Sequence, residues 1–315
     1  MHKLRPRRAL SQKEVYMQKI TPNIWFNGNA EEAVELYISA FSDGRVVETV
    51  HYPKSAEEGL ADFQAGLAGR VLSIDFELGD MRFTAINAGP EFRPNPSISF
   101  MVNFDPSRDD RARSNLDALW ERLSDGGIEL MPLDKYDFSQ HYGWVEDRYG
   151  VSWQLILTDP DGEPRPFIIP ALMFAGPQLG RATEARNYYV EVFADSKLGE
   201  AYKYTETTDM FTKDHIMFSE LQLADQWLVM NDGGPQQDFT FNEGVSLAVM
   251  CRDQAEIDRL WDKLSSHPDS EQCGWCKDKF GVSWQIVPEN MGELMSRPGA
   301  YQTMMEQKKI IIAEY

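Results

Sequence analysis

The residues best suited to chemistry in this chain are two glutamines, each closing a copy of one short motif. Residues 143–154 read GWVEDRYGVSWQ and residues 274–285 read GWCKDKFGVSWQ, with eight of the twelve positions identical. Gly150 and Gly281 follow a polar turn and can take a left-handed conformation without Cβ strain, so each motif is expected to close a hairpin. In the strand that follows, side chains alternate between faces. Val151, Trp153 and Leu155 then make one face, suited to packing under helices, and Ser152 and Gln154 the other. Ser283 and Gln285 repeat the polar pair in the second copy. A glutamine amide can orient a ligand by hydrogen bonds, but it carries no charge and holds divalent ions less well than carboxylate or imidazole.

Other candidate residues carry less. Cys273 and Cys276 form C-G-W-C, but a redox pair wants its first cysteine at a helix N-terminus, and these lie at and within a predicted strand where i and i+3 face opposite ways. The five histidines (His2, His51, His141, His215, His267) show neither H-x-H nor HExxH spacing and are expected at the surface; His51 and His141 could lie near strand ends at a rim. No G-x-G-x-x-G or P-loop pattern is present to receive a nucleotide-like cofactor. The net charge of −19 disfavours nucleic acid and anionic membrane surfaces. No uninterrupted apolar stretch reaches the roughly 18 residues needed to span a bilayer. Three cysteines make no disulfide framework in 315 residues, so a reducing cytoplasm is the expected location.

The elements that must position these residues are also written twice. LDALWERL (116–123) matches IDRLWDKL (257–264), PNIWF (22–26) matches PALMF (170–174), and ELYISAF (35–41) matches NYYVEVF (187–193). Trp120 and Trp261 occupy equivalent helix positions and are expected in the core. Each copy reads as strand–helix–three strands, performed twice. In the first copy the strand 22–26 precedes a helix over 31–41 with Asn29 as N-cap, then strands near 45–52, 70–78 and 81–87. A strand at 97–103, a helix over 110–124 and strands near 128–132, 140–146 and 151–158 complete it. The predicted division is a basic leader (1–18), a first domain (19–158), a Pro-stiffened linker (159–168), a second domain (169–290) and a tail (291–315).

The βαβββ order with a D-x-x-G-x-x-W-Q hairpin resembles the vicinal oxygen chelate superfamily of glyoxalases, bleomycin-resistance proteins and extradiol dioxygenases. GWxxDKFGVSWQIVP (274–288) resembles the PhnB-like, or 3-demethylubiquinone-9 3-methyltransferase-like, branch. The resemblance implies an α+β fold of four βαβββ modules whose curved mixed sheets form cups, with helices outside. It implies a metal ligand where Gln154 and Gln285 stand, a glutamate in the metal-using members. The other three ligand places fall on Thr21, Thr84 and Ser97 in the first copy, and on Ile169, Val229 and Gly244 in the second, within one register step. Neither set suits zinc, nickel or iron.

The reading is therefore a metal-free and cofactor-free binding protein for a small organic ligand. Thr21, Asn23, Trp25, Thr84, Ser97 and Gln154 are expected to line one cup in the first domain, with Gln285 as the second-copy counterpart of Gln154. The second domain is expected to serve as scaffold, in an intramolecular pseudo-dimer that could dimerise further. The alternatives are a metal-dependent lyase or dioxygenase of glyoxalase lineage, and a methyltransferase, for which no S-adenosylmethionine motif is present. The face taken by Trp144 and Trp275 is left open.

Overall fold

The computed structural model of the chain describes residues 18–234 and 236–315; the leader assigned to residues 1–18 lies, apart from Gln18, outside them. The first repeat holds β1 (Ile20–Phe26), α1 (Ala30–Ala40), β2 (Arg45–His51), β3 (Val71–Leu78) and β4 (Met81–Asn87), then β5 (Ile98–Phe104), α2 (Ala112–Ser124), β6 (Ile128–Tyr136), β7 (Ser139–Glu146) and β8 (Ser152–Leu157). The second holds β9 (Ile168–Phe174), α3 (Ala182–Val192), β10 (Lys197–Lys203), β11 (Ile216–Leu223) and β12 (Gln226–Asp232), then β13 (Val245–Cys251), α4 (Gln254–Leu264), β14 (Trp275–Lys277) and β15 (Ser283–Pro288). The four βαβββ modules are thus as expected, except that the fourth has one strand fewer. Residues 291–315, read as a tail, are folded: they form α5 (Met291–Met295) and α6 (Ala300–Glu306).

The modules do not combine as the repeats do. The seven-stranded sheet runs β14-β15-β13-β1-β4-β3-β2, and the eight-stranded sheet runs β10-β11-β12-β9-β5-β8-β7-β6. The first module is therefore hydrogen-bonded to the fourth through antiparallel β1 and β13, and the second to the third through β5 and β9. Neither sheet closes into a barrel. Each repeat supplies four strands of the eight-stranded sheet, and the first supplies four and the second three of the seven-stranded one.

The helix-covered faces explain this exchange. Within the first repeat the two modules meet face to face, not side by side: Phe83 on β4 lies 5.0 Å from Phe100 on β5, and Tyr37 on α1 lies 5.3 Å from Trp153 on β8. The second repeat repeats this, with Tyr189 on α3 5.5 Å from Trp284 on β15. Burying these large rings gives each repeat its core. Their open faces then point away, and each finds an edge partner in the other repeat.

The motif aspartate ties the core together. Asp147 Oδ1 accepts the backbone N–H of Tyr149 and Val151, while Oδ2 accepts the Tyr37 hydroxyl at 2.8 Å and the Trp153 indole N–H at 2.9 Å. Asp278 makes the same four bonds, with Phe280, Val282, Tyr189 and Trp284. Four donors on a carboxylate satisfy a charge that burial would otherwise disfavour. Burial is the dominant influence on both groups and leaves their pKa raised despite these bonds. Gly150 and Gly281 take φ +88° and +86°, as the hairpin requires. Gly143 is fixed by packing, since a Cβ there would meet the Trp120 ring at 2.5 Å.

Two local expectations change. Asn29 makes no side-chain cap for α1; the N–H of Ala30 is taken instead by Asn87 Oδ1 at the end of β4. His141 is not at the rim or the surface: β7 turns it under α2, where it is buried between Arg113 and Asp117. The cysteines lie as expected, Cys273 just before β14 and half-buried, Cys276 within it and buried.

Candidate functional site

Strand alternation puts Ser152, Gln154 and their counterparts Ser283 and Gln285 on the open faces, opposite Trp153 and Trp284 in the cores. Trp275 is paired directly with Gln285 and Trp144 with Gln154, so both tryptophans share that open face. This settles the orientation that the sequence left open.

The seven-stranded sheet carries a polar row across its open face. Asp75 pairs with Thr84, Thr84 with Asn23, and Asn23 with Ser246, on four adjacent strands. Gln285 joins from the fifth, donating through Nε2 to Ser246 Oγ at 3.0 Å. Thr84 Oγ1 donates to Asp75 Oδ1 at 2.7 Å. Burial is the main cause of a raised Asp75 pKa, against the opposing pull of Thr84 and Arg82. Asn23 is 6% exposed, and its Oδ1 is buried with no hydrogen-bond partner. Trp25 stands one position further along β1, its indole N–H held by the Gly89 carbonyl at 2.8 Å, and meets Trp275 edge-on at 6.0 Å. Trp25, Thr84, Asp75 and Trp275 keep part of their surface accessible. This is a hydrogen-bonded polar row flanked by two indoles, with its centre at Asn23 and Ser246 buried.

The eight-stranded sheet has the same positions and other contents. Glu220 pairs with Val229, Val229 with Ala171, and Ala171 with Ser99. Gln154 donates to Ser99 Oγ at 2.8 Å and accepts the Tyr142 hydroxyl at 2.7 Å, and the Trp144 N–H goes to Ser152. Glu220 is held by Arg165 of the linker through two bonds of 2.8 Å. Met101, Ile169, Ala171 and Val229 pack together, as do Tyr142, Trp144, Met173 and Ala175. What remains open is a cleft of about 310 Å³ beside the linker, with Phe218 and Ile156 in its wall.

The proposed residues therefore do not share one sheet. Thr21, Asn23, Trp25 and Thr84 lie on the seven-stranded sheet, and Gln285 of the second repeat joins them there. Gln154 lies on the eight-stranded sheet, and Ser97 immediately precedes β5 of that sheet. A cup inside the first domain, with the second as scaffold, is replaced by two cups built across the repeats, because β1 is bonded to β13 and not to β5. Ser97 also sits two residues from the row, which passes through Ser99; Ser246 likewise replaces Gly244, Asn23 replaces Thr21, and Ala171 replaces Ile169. Asp75 and Ser246 were missed. Alternation along 71–78 placed Asp75 opposite the apolar Ile74 and Phe76, which was the available signal.

The donor set of the polar row does not fit the metal that the fold family uses. Asn23, Thr84, Ser246 and Gln285 are neutral, and the one carboxylate, Asp75, is engaged by Thr84. Among the described residues no three His, Cys, Asp or Glu side chains cluster to hold an ion. Among those residues, too, no helix is long and apolar enough to cross a membrane.

Comparisons with known proteins agree with this architecture. No curated protein matches the chain. A PhnB protein from Bacillus cereus is 32% identical, matching 45% of this chain and 100% of its own, with a TM-score of 0.38. Protein PA1353 of Pseudomonas aeruginosa is 23% identical over 45% of this chain and 98% of its own, with a TM-score of 0.37. Glyoxalase I of Zea mays is 12% identical over 87% of this chain and 92% of its own, with a TM-score of 0.51, a likeness of fold. The family model for 3-demethylubiquinone-9 3-methyltransferase matches residues 18–156 and again 166–287. The chain belongs to that PhnB-like family of the vicinal oxygen chelate superfamily, with the family's domain present in two tandem copies.

Proposed function

We propose that the protein binds a small, flat, neutral organic molecule in the polar cup, without a metal. The observation that carries this is Asn23 Oδ1, an acceptor buried without a partner on the floor between indole walls. A buried, unpaired acceptor costs about 1–3 kcal/mol, which a ligand N–H or O–H would recover. Trp25 and Trp275 offer surfaces for an aromatic ring. Four of the five groups of the row are neutral and the Asp75 carboxyl already accepts from Thr84, which supports a neutral ligand over a cation. An aromatic amide or a phenol meets these requirements.

Ligand-observed NMR with a panel of phenols and aromatic amides tests the reading. Binding that disappears in Asn23→Leu and weakens in Trp25→Ala is expected. Stoichiometric zinc, nickel, manganese or iron in the purified protein would overturn the metal-free reading. Calorimetry with S-adenosylmethionine is expected to give no binding heat, despite the family's description.

A further inference from the structure

The cleft of about 310 Å³ on the eight-stranded sheet is at the small end of ligand pockets, which run from about 300 to 1,000 Å³. The sheet lines it with apolar side chains: Met101 on β5, Ile156 on β8, Ile169 on β9 and Phe218 on β11. Phe138, in the turn between β6 and β7, lines it too, and is 63% exposed beside Tyr136 and Tyr142. On the seven-stranded sheet Ser73 and Thr21 stand in the places of Phe218 and Ile169, and among the described residues no strand matches β6.

The linker completes the lining and is pinned in place. The Asn103 backbone N–H donates to the Phe167 carbonyl at 2.7 Å, and its Nδ2 to the Pro166 carbonyl at 2.8 Å. Arg165 donates through Nε and Nη2 to the two oxygens of Glu220, each at 2.8 Å. A lining fixed in advance loses little to ordering when a ligand enters. Three carboxylates, Asp159, Glu163 and Glu220, and one guanidinium, Arg165, border the cleft. Arg165 is committed to Glu220, which leaves Asp159 and Glu163, both exposed, as excess negative charge. An anion is repelled there, whereas a cation with an apolar body meets both the carboxylates and the rings. The chain makes the same pairing itself: the Arg165 guanidinium lies over the Trp227 ring at 4.4 Å while Glu220 holds it. Ring faces attract quaternary ammonium groups in the same way, and Phe138 and Phe218 supply two.

We propose that this cleft is a second binding site, for a small organic cation: an ammonium group carrying an aromatic or branched aliphatic body. The body lies against Phe218, Ile156 and Ile169, and the charge faces Phe138 and Glu163. The site is independent of the polar row, which lies on the other sheet and suits a neutral ligand. Benzyltrimethylammonium and benzoate, similar in body and opposite in charge, are the probes in ligand-observed NMR. The cation should bind and benzoate should not. Phe138→Ala should weaken the cation about fivefold and Glu163→Gln about threefold; both changes are at exposed positions and leave the fold intact. Raising the ionic strength from about 0.05 to about 0.5 M should also weaken it, while excess phenol should not displace it. No binding of the cation to wild type, or equal binding of benzoate, overturns the site. Unchanged affinity in both variants puts the cation elsewhere and overturns it as well. Displacement by phenol would merge the two sites and end their independence. A failure of phenol to bind sinks the reading of the polar row and leaves the cation readouts decisive for the cleft.

Discussion

The open faces of the two sheets are built from the same modules in the same register, yet one carries a polar row with an unpartnered acceptor and the other an apolar row beside a cleft at the linker. Position by position, Asp75, Thr84, Asn23 and Trp25 face Glu220, Val229, Ala171 and Met173. Ser246 and Gln285 on one sheet match Ser99 and Gln154 on the other, but only Gln154 is also tied down by a tyrosine, Tyr142. The carboxylates diverge too: Glu220 is neutralised by Arg165, which also lies over the Trp227 ring at 4.4 Å, while Asp75 has only Thr84 as a hydrogen-bond partner. The duplication kept both cores, while the two open faces diverged. On the binding proposed for the polar row, the packed apolar row would serve stability and the polar row its ligand.

The largest effects should come where the copies agree. Asp147→Ala and Asp278→Ala each strand four buried donors and should each lower stability by about 3–5 kcal/mol. Urea denaturation should give similar losses for both, and a large inequality would break the equivalence of the two cores.

The tryptophans should then separate the cups. Trp144→Ala empties part of the filled cup and should cost about 3 kcal/mol of stability while leaving phenol binding intact. Trp25→Ala should cost less stability and weaken the same probe about tenfold, the value of a lost aromatic contact. A Trp144→Ala variant that loses binding would place the site in the wrong cup.

A smaller effect of opposite sign is expected at Asn23. Asn23→Leu removes the unpaired acceptor and should raise stability by about 1 kcal/mol while abolishing binding. Thermal unfolding that falls instead would show the Asn23 amide to be structurally satisfied.

The smallest effect concerns pH. Asp75 has a folded pKa raised by burial, so the folded state holds its proton where the unfolded chain has released it. Its contribution is therefore present at low pH and lost as pH rises through the interval between the ordinary carboxylate value and the raised one. Asp75→Asn should flatten the stability–pH curve in that interval, and a curve that falls on acidification because of Asp75 would contradict it.

The sequence alone determined the local and the periodic. Repetition of GW…GVSWQ announced two copies, and alternation along 151–156 put Trp153 inward and Gln154 on the open face, because neighbouring side chains on a strand must point oppositely. Four modules, the helix tryptophans and the polarity contrast between the copies were all legible there. The hydrogen-bonded row passes two residues from Ser97 and Thr21, since nothing within a strand states which residue lies opposite it across a ladder. Only the tertiary structure decided which module stands beside which. Backbone hydrogen bonds between β1 and β13 are chemically like those that β1 could have made with β5, so the choice falls to the cores. Tyr37, Phe83, Phe100 and Trp153 bury most apolar surface when the modules of one repeat meet by their helix-covered faces, and that turns their open edges toward the other repeat. The folding of 291–315 against the 52–70 connection and the edge of β14 was equally invisible, because its helices are short and the packing partners Tyr52, Leu60 and Gln64 lie more than two hundred residues away.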